Sequence, residues 1–504
     1  MRANGSILAR LGAACCAVAA LSLGACSGGG GGSTPIVNPN PSIAPASAAP
    51  LPTSTATPKS SSPTSTPTAV ATKPASPTPT PVATATPVAT ATPVATPTPA
   101  GTATPVGSPA NPVPIAPGPA PTATMLLNGA AGVAPSNTSN GTGGWLPTAI
   151  ANAFGYPAQY GFAGTGETIA IVNDAFPSAA DLSAFWSASS VPTTPVVHTI
   201  APDGVNASAG SSDVTEITLD TETAAGLAPY ATTDVVEAKS LDTVDILSAL
   251  DYSVQTLDAN VVSMSFGLCE DADPSFDDAV DSVAQEAAAT GTTIVASTGD
   301  DGPGCYSGST LETGVSAPAS DPYVVAVGGT ESQFQEPITT TAQANAQLEH
   351  AAPWNDTSSG SDSAGGGVSA IWTIPSYQNA PGIVSTAASA KMRNVPDVVL
   401  PASVLGPAAV RVGGAWMGIG GTSWSAPEFA AMQAEIDQQC GGSRWGLPDL
   451  YRVYYQKASS FHDVTSGSIS YPGVSASYAA KSGYDNATGL GMPIGEQIAV
   501  QDGC

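Results

Sequence analysis

The sequence predicts an α/β fold in which a doubly wound, mostly parallel sheet carries helices on both faces, preceded by a long stretch without stable structure. Two observations predict it. From Trp145 onward, short apolar, β-branched runs alternate with segments of helical periodicity. Before that point the chain is almost entirely Gly, Ser, Thr, Pro and Ala, which cannot bury a core. Alternating strand and helix implies parallel strands, because a parallel pair needs a crossover and the crossover helix then covers a sheet face.

Strands are expected at 168–172, 234–238, 260–266, 292–297 and 323–327, with helices at 214–227, 243–257 and 276–289. In sheets of this kind reactive groups collect where strands end and helices begin.

Three regions follow from composition. Residues 1–26 read as an export signal: Arg2 and Arg10 flank a short n-region, and residues 11–23 are apolar but too few to span a bilayer. The signal ends at Leu23-Gly24-Ala25-Cys26, which resembles a bacterial lipobox whose cysteine is lipidated; an ordinary signal-peptidase site beside an incidental cysteine is the plainer alternative. Residues 27–140 form a Pro/Thr/Ala/Ser-rich linker with a short echo between Pro81 and Pro93. Such chain favours polyproline II and acts as a semi-stiff spacer of at most about 3.1 Å per residue. Residues 141–504 are the folded part. The expected location is extracytoplasmic, on a lipid anchor at Cys26 or released by cleavage of the stalk, with no other membrane contact.

Charge narrows the partners. The 504-residue chain has 39 Asp and Glu but 12 Lys and Arg, and no acid precedes Glu167. From there on eight cations face all 39 acids, a formal charge of −31. That field repels nucleic acid, whose binding needs a Lys/Arg surface to displace counterions. The acidity either keeps an exported protein soluble or suits work at low pH, where self-repulsion shrinks. A monomer is expected.

Of seven cysteines, Cys15 and Cys16 leave with the signal and Cys26 would carry lipid. Cys269, Cys305, Cys440 and Cys504 remain, an even number that in an exported chain favours disulfides with three possible connectivities. Cys269–Cys305 is favoured because both follow predicted strand ends on one face of the sheet, which leaves Cys440–Cys504. No spacing suggests zinc.

The strongest chemical signal is Gly420-Gly421-Thr422-Ser423 running into Pro427 and a helical stretch. A serine there would sit at the positive end of a helix, with Pro427 suited to the first turn, but the same pattern also serves as a cap. A nucleophilic serine needs a base, and the three histidines, His198, His350 and His462, do not stand at helix-opening glycine turns. Glu216 and Asp220 lie i, i+4 on one face of an expected helix and could act as base and orienting acid. The spacing Asp213 to Glu216 equally fits a capping box. Near pH 4 an ordinary glutamate is still partly ionised whereas imidazole is charged.

Seven segments in order resemble the sedolisins, serine-carboxyl peptidases, and kumamolisin-like members in particular. They are the run from Glu216 through Asp220 to Pro229; Ser263 to Gly267; Ala296 to Asp300; Ser316 to Thr330; Gly365 to Ser369 with Pro375 to Gln378; Arg393 to Val398; and Gly421 to Ser423. The resemblance implies a subtilisin-like fold and an acid-acting endopeptidase cleaving proteins or peptides. It assigns Ser423 as nucleophile, Glu216 as base, Asp220 as its support and a protonated Asp300 as oxyanion donor; Asp301 next door is the competing candidate. Phe461 to Val464 and Ser482 to Asp485 resemble the family's calcium loop. That implies one structural Ca2+ held by the Asp463 and Asp485 carboxylates and the carbonyls of Val464, Lys481 and Gly483.

The chain also departs from the family. Lys481 replaces a usual glycine, Asn173 stands where kumamolisin-like members add another glutamate to the triad, and Phe266 replaces their tryptophan. Sedolisins generally carry a folded prodomain where this chain has the linker. An alternative of another class is a weak or inactive binding module displayed on the same fold.

Overall fold

The computed structural model describes residues 125–126, 144–331, 348, 351–442 and 444–501. The signal, Cys26, nearly all of the 27–140 linker, His350 and Cys504 lie outside the described residues.

The centre of the fold is a seven-stranded, wholly parallel sheet. Its strands are β1 (Thr168–Asn173), β2 (Val196–Ile200), β3 (Thr232–Glu237), β4 (Val261–Met264), β5 (Thr293–Ser297), β6 (Val324–Thr330) and β7 (Val398–Pro401). Their spatial order is β7-β6-β5-β4-β1-β3-β2. The chain crosses from β1 to the edge at β2, returns to place β3 beside β1, then passes to the other side of β1 and builds outward from β4 to β7, so the switch point lies at the C-terminal end of β1, between β3 and β4. There the loops part and leave a crevice for chemistry.

Helices α1 (Pro147–Ala153), α2 (Ala179–Ala188), α3 (Ser211–Leu227), α4 (Thr243–Asp251), α5 (Pro274–Thr290) and α6 (Thr422–Gln439) complete the layers. Strand side chains alternate between faces. Ile169 and Ile171 of β1 pack into one core with α3 and α6, while Ala170 and Val172 pack into the other with α4 and α5. Each such Ile or Val contributes about 1.5–3 kcal/mol on burial. Because both faces are covered, the strands read as continuous apolar runs, which is why five of them were visible in the sequence.

The two unanticipated strands are the sheet edges. The side chains of β2 are half-exposed or exposed throughout, so it lacks a continuous apolar signal. β7 is bracketed by Pro396 and ends in Pro401, residues tolerated only where a strand has a free side. The expected strand 260–266 stops at Met264, because Ser265 turns toward α3 and Gly267 passes so close to the Ala317 carbonyl that a Cβ would lie 2.9 Å from it. The expected helix 243–257 divides into α4 and a π-helical turn at Tyr252–Thr256, where the Ser253 hydroxyl bonds back to the Ala249 carbonyl at 2.7 Å.

Two family-like segments prove to be structural. Arg393, fully buried, forks onto Asp397 with contacts of 2.7 and 2.6 Å. Tyr451 donates to the same carboxylate at 2.6 Å, Gln378 donates to the Tyr451 hydroxyl at 2.8 Å, and the other Asp397 oxygen accepts from the Ala326 N–H of β6 at 2.8 Å. This network pins the entry to β7 against β6. A disulfide joins Cys269 and Cys305; Cys440 is also disulfide-bonded. Among the described residues no helix is long and apolar enough to cross a membrane.

α6 runs through the core, buried from Thr422 to Asp437. Ala426, Ala430, Ala431 and Ala434 let it lie close to its neighbours. It also carries Glu428, Glu435 and Asp437, all with 0% exposure. Burial pushes all three carboxyls well above their ordinary values, and Glu222 on α3 likewise. Neither Glu428 carboxyl oxygen has a hydrogen-bond partner, so nothing offsets the cost of ionising it and the neutral form is favoured.

The sign of the pH dependence follows. These acids keep protons in the native state that the unfolded chain releases above about pH 4, so stability is complete below that pH and falls as pH rises toward the native values. We expect the melting temperature to drop by about 10 °C between pH 4.5 and 8. Differential scanning calorimetry across that range checks it; a Tm that rises toward neutrality would refute it.

Candidate active site

Ser423 lies in the first turn of α6. The turn is made by two glycines that admit no side chain: a Cβ on Gly420 would sit 2.5 Å from the Ala402 carbonyl, and one on Gly421 would sit 2.7 Å from Asp300 Oδ2. Gly421 also has φ +131°, a region L side chains avoid. Pro427 falls inside the helix rather than in its first turn, since α6 begins at Thr422. Its missing N–H leaves the Ser423 carbonyl without its helical donor, and the Ser265 hydroxyl lies 3.3 Å from that carbonyl, sharing its single proton between it and Asp220 Oδ1. The proline thereby ties the serine turn to the end of β4.

α3 packs along α6 on the same sheet face. Its capping acid is Asp213, whose Oδ2 accepts from the Gly210 N–H at 2.6 Å. Glu216 therefore does not serve the cap and stands one turn deeper, followed by Asp220, i, i+4. The Ser265 hydroxyl donates to Asp220 Oδ1 at 3.0 Å. Glu216 Oε1 and Asp220 Oδ2 are both sealed from solvent without a hydrogen-bond partner, an arrangement that one proton held between two carboxyls satisfies.

Burial pushes both acids up. The Ser423 hydroxyl pulls Glu216 back down by hydrogen bonding, whereas the Glu216 charge pushes Asp220 further up. Glu216 thus ionises first and Asp220 retains its proton, the division of roles a base and its supporting acid require. The expectation that Glu216 is partly ionised near pH 4 needs correcting. That figure belongs to a solvated glutamate, and desolvation moves the buried one into the upper acid range.

Asp300 follows the end of β5, and its Oδ1 accepts from both the N–H and the hydroxyl of Thr422 at 2.8 Å each. Oδ2 faces Gly421. Burial pushes this carboxyl well up, against the two Thr422 hydrogen bonds. Asp301, its neighbour, is hydrogen-bonded with Tyr471 instead. The structure thus gathers Ser423, Glu216, Asp220 and Asp300 around the start of α6. His198 sits on the edge strand β2, 2.8 Å from Asp234, and His462 lies in a short ladder opposite Met492.

From the sequence, no role was assigned to Ser265 or Thr422. Both lie inside recognised segments, yet small hydroxyl residues carry no periodic or charge signal. Only the third dimension shows Ser265 touching Asp220 and the Ser423 carbonyl, and Thr422 holding Asp300.

At the C-terminal loop Asp463 Oδ2 accepts from the Gly483 N–H at 2.9 Å and Asp485 Oδ2 from the Lys481 N–H at 2.6 Å. The two acids therefore grip one turn. Among the described residues, no backbone N–H in the loop, turn and cap contacts reaches the carbonyls of Val464, Lys481 or Gly483, and no three His, Cys, Asp or Glu cluster as metal ligands. Two carboxylates and three carbonyls would make an all-oxygen donor set, a chemistry that suits a hard cation such as Ca2+ better than zinc.

Comparison with known proteins identifies the family and the fold. Residues 164–446 match the model of the subtilase family. Kumamolisin from Bacillus sp. (strain MN-32) is 34% identical over 369 residues, covering 70% of this chain and 63% of kumamolisin. Sedolisin from Pseudomonas sp. (strain 101) is 34% identical over 263 residues, covering 49% of this chain and 41% of sedolisin. The chain thus spans less than two thirds of the length of either relative. The structure of Pseudomonas sedolisin, a serine-carboxyl proteinase complexed with two molecules of pseudo-iodotyrostatin, superposes with a TM-score of 0.59 at 26% identity, covering 71% of this chain and 97% of that one.

The glycine turn is directly testable. Gly421→Ala forces a Cβ against the Asp300 carboxyl in a strained backbone conformation, and we expect a stability loss of about 2–3 kcal/mol. Urea unfolding at pH 5 measures it; an unchanged midpoint would mean the turn is not built as described.

Proposed function

The chain belongs to the subtilase family, on its sedolisin, kumamolisin-like branch, and from that premise we propose that it is an acid-acting serine-carboxyl endopeptidase that hydrolyses peptide bonds of proteins or peptides. The observation that carries the reading is the meeting of Ser423 with a carboxyl pair, half-buried Glu216 and fully buried Asp220, opposite a buried carboxyl group at Asp300.

In this reading Ser423 Oγ attacks the scissile carbonyl while Glu216 takes its proton. Asp220, still protonated, donates to Glu216 and steadies it through the first step. The negative oxygen of the tetrahedral intermediate is met by the Ser423 N–H at the positive end of α6 and by the Asp300 acid proton. Only a neutral carboxyl group can donate there, since an ionised one would repel the intermediate. Glu216 then passes its proton to the leaving amine, and water repeats the sequence on the acyl-serine. The two carboxyl requirements set opposite limbs of the pH profile: turnover rises as the Glu216–Asp220 pair loses its first proton and falls as Asp300 loses its own.

The test is digestion of casein and a peptide library from pH 3 to 8 with the cleavage sites read by mass spectrometry. We expect a bell-shaped kcat with its acid limb above about pH 4.5, and a loss of at least about 1,000-fold in Ser423→Ala and Glu216→Gln. Equal turnover in wild type and Ser423→Ala would end the reading.

We further propose that Asp463, Val464, Lys481, Gly483 and Asp485 hold one structural Ca2+. When bound it would cross-link the 463–464 and 481–485 segments. An ion that binds only the native state raises its stability by mass action. A chelator is therefore expected to lower Tm by several degrees, reversed by added Ca2+; an unchanged melt together with no metal by elemental analysis would remove the site.

A further inference from the structure

A second group of acids stands behind Asp300, and the peptidase mechanism does not use it. Asp301 and Asp362 are each 4% exposed. The backbone brings them together: the Ser363 N–H donates to the Asp300 carbonyl at 2.9 Å, the Gly302 N–H donates to the Ser363 carbonyl at 2.8 Å, and Asp301 and Ser363 form a parallel bridge. Gly302 has φ +60°, and a Cβ there would lie 2.9 Å from the Ser470 backbone. That close approach seats Tyr471 over the turn. Its hydroxyl lies 3.4 Å from Asp362 Oδ1 and shares its single proton between that oxygen and Asp301, whose Oδ1 is sealed without a partner.

We infer that Asp301 and Asp362, joined through Tyr471, are positioning residues that form an anionic backing to Asp300 and keep its acid proton in place as the pH rises. The inference rests on the reading of Asp300 as the neutral oxyanion donor. Apart from burial, the influences on the Asp300 carboxyl are the Thr422 N–H and hydroxyl from α6, Asp362 from the adjoining segment and Asp301 from its own. Both charged neighbours are acids. Around Asp301 stand Tyr471, Tyr306 and Asp362.

The order of ionisation follows from desolvation, which acts more strongly on Asp300 and outweighs its two Thr422 donors. Asp301, reached by the Tyr471 hydroxyl, titrates at about 6, pushed up by burial. Asp300 is more deeply buried and is pushed well above its ordinary value. Once Asp301 carries charge, a second anion beside it is disfavoured, so Asp300 ionises last. Asp300 would then remain a donor beyond the pH at which an isolated buried acid of the same kind would have failed.

The test removes one charge at a time with isosteric change. In full-length Ser423→Ala protein labelled with carboxyl-13C aspartate, NMR titration follows Asp300, assigned by the signal lost in Asp300→Asn. Adding Asp301→Asn or, on the separate segment, Asp362→Asn is expected to lower the Asp300 midpoint by about 0.5–1 unit, because ionisation no longer meets a like charge. In the Ser423 protein the same variants should move the alkaline limb of kcat down by the same amount with KM nearly constant. A merely structural role would change Tm but not the Asp300 midpoint. An Asp300 midpoint unchanged in both variants overturns the inference, as does a KM-only effect confined to Lys and Arg peptides. A shifted midpoint in a protein that cleaves nothing supports the backing role while removing the peptidase reading, so the two failures are distinguishable.

Discussion

A shortage of cations governs this molecule. Its 39 acids outnumber 12 Lys and Arg, so the carboxyls its core encloses cannot all be paired. Arg393 neutralises Asp397 with a buried fork, but Glu428, Glu435, Asp437, Asp220 and Asp300 are enclosed with no cation bonded to them. An unpaired buried carboxylate is so costly that the group retains its proton instead. Protonated carboxyls are then structural parts of the interior, able to donate as well as accept, and the fold is consistent with itself only where they stay protonated. The condition that stabilises α6 also suits the groups at its N-terminus.

That coincidence gives the candidate site its logic. The oxyanion donor needs an acid that has not ionised, and the base needs an acid that ionises before its partner does. Both requirements are met by desolvation, applied unequally. The Ser423 hydroxyl lowers Glu216 within the buried pair, while the Glu216 charge raises Asp220. Position comes from the sheet: α3 and α6 share one face, and the ends of β4 and β5 deliver Ser265 and Asp300 to the same crevice. Pro427 adds a covalently encoded vacancy in the helix ladder, through which Ser265 holds the nucleophile turn and Asp220 at once.

Legibility in the sequence followed the strength of the physical signal. Buried parallel strands are apolar throughout and were seen within a few residues, but β2 is half-exposed and β7 is bordered by prolines, so neither stood out. α6 was recognised by its glycine turn and the apolar-periodic run from Phe429 to Ile436 that follows it, although burial on all sides leaves the helix without a clean polar face. From spacing alone Glu216 was indistinguishable from a capping acid; the cap turned out to be Asp213, which a one-dimensional pattern cannot decide. Assignment of the four site residues depended on seven ordered segments. Among these, the Gln378, Arg393 and Asp397 pieces carry packing rather than chemistry.

The departure at Asn173 shows how such a site tolerates substitution. Asn173 ends β1 with its side-chain oxygen turned onto the next backbone N–H at 2.8 Å, so it adds no carboxyl to the pair on α3. Its register partner on β3 is Glu237, and the following residue is Asp174; Asn206 bridges the two, its N–H on Glu237 at 3.1 Å and its side-chain amide on Asp174 at 2.9 Å. Carboxyl groups therefore still gather at the C-terminal ends of β1 and β3, displaced by one strand and one residue. Asp174 is held at about 6, chiefly by burial and next by Asp213, the residue that caps α3 and whose charge also raises Glu216. The Asp213 charge thus acts on Glu216 as Asp301 and Asp362 act on Asp300. An acid site of this kind depends less on any one extra carboxylate than on the absence of cations that would let its central carboxyls ionise.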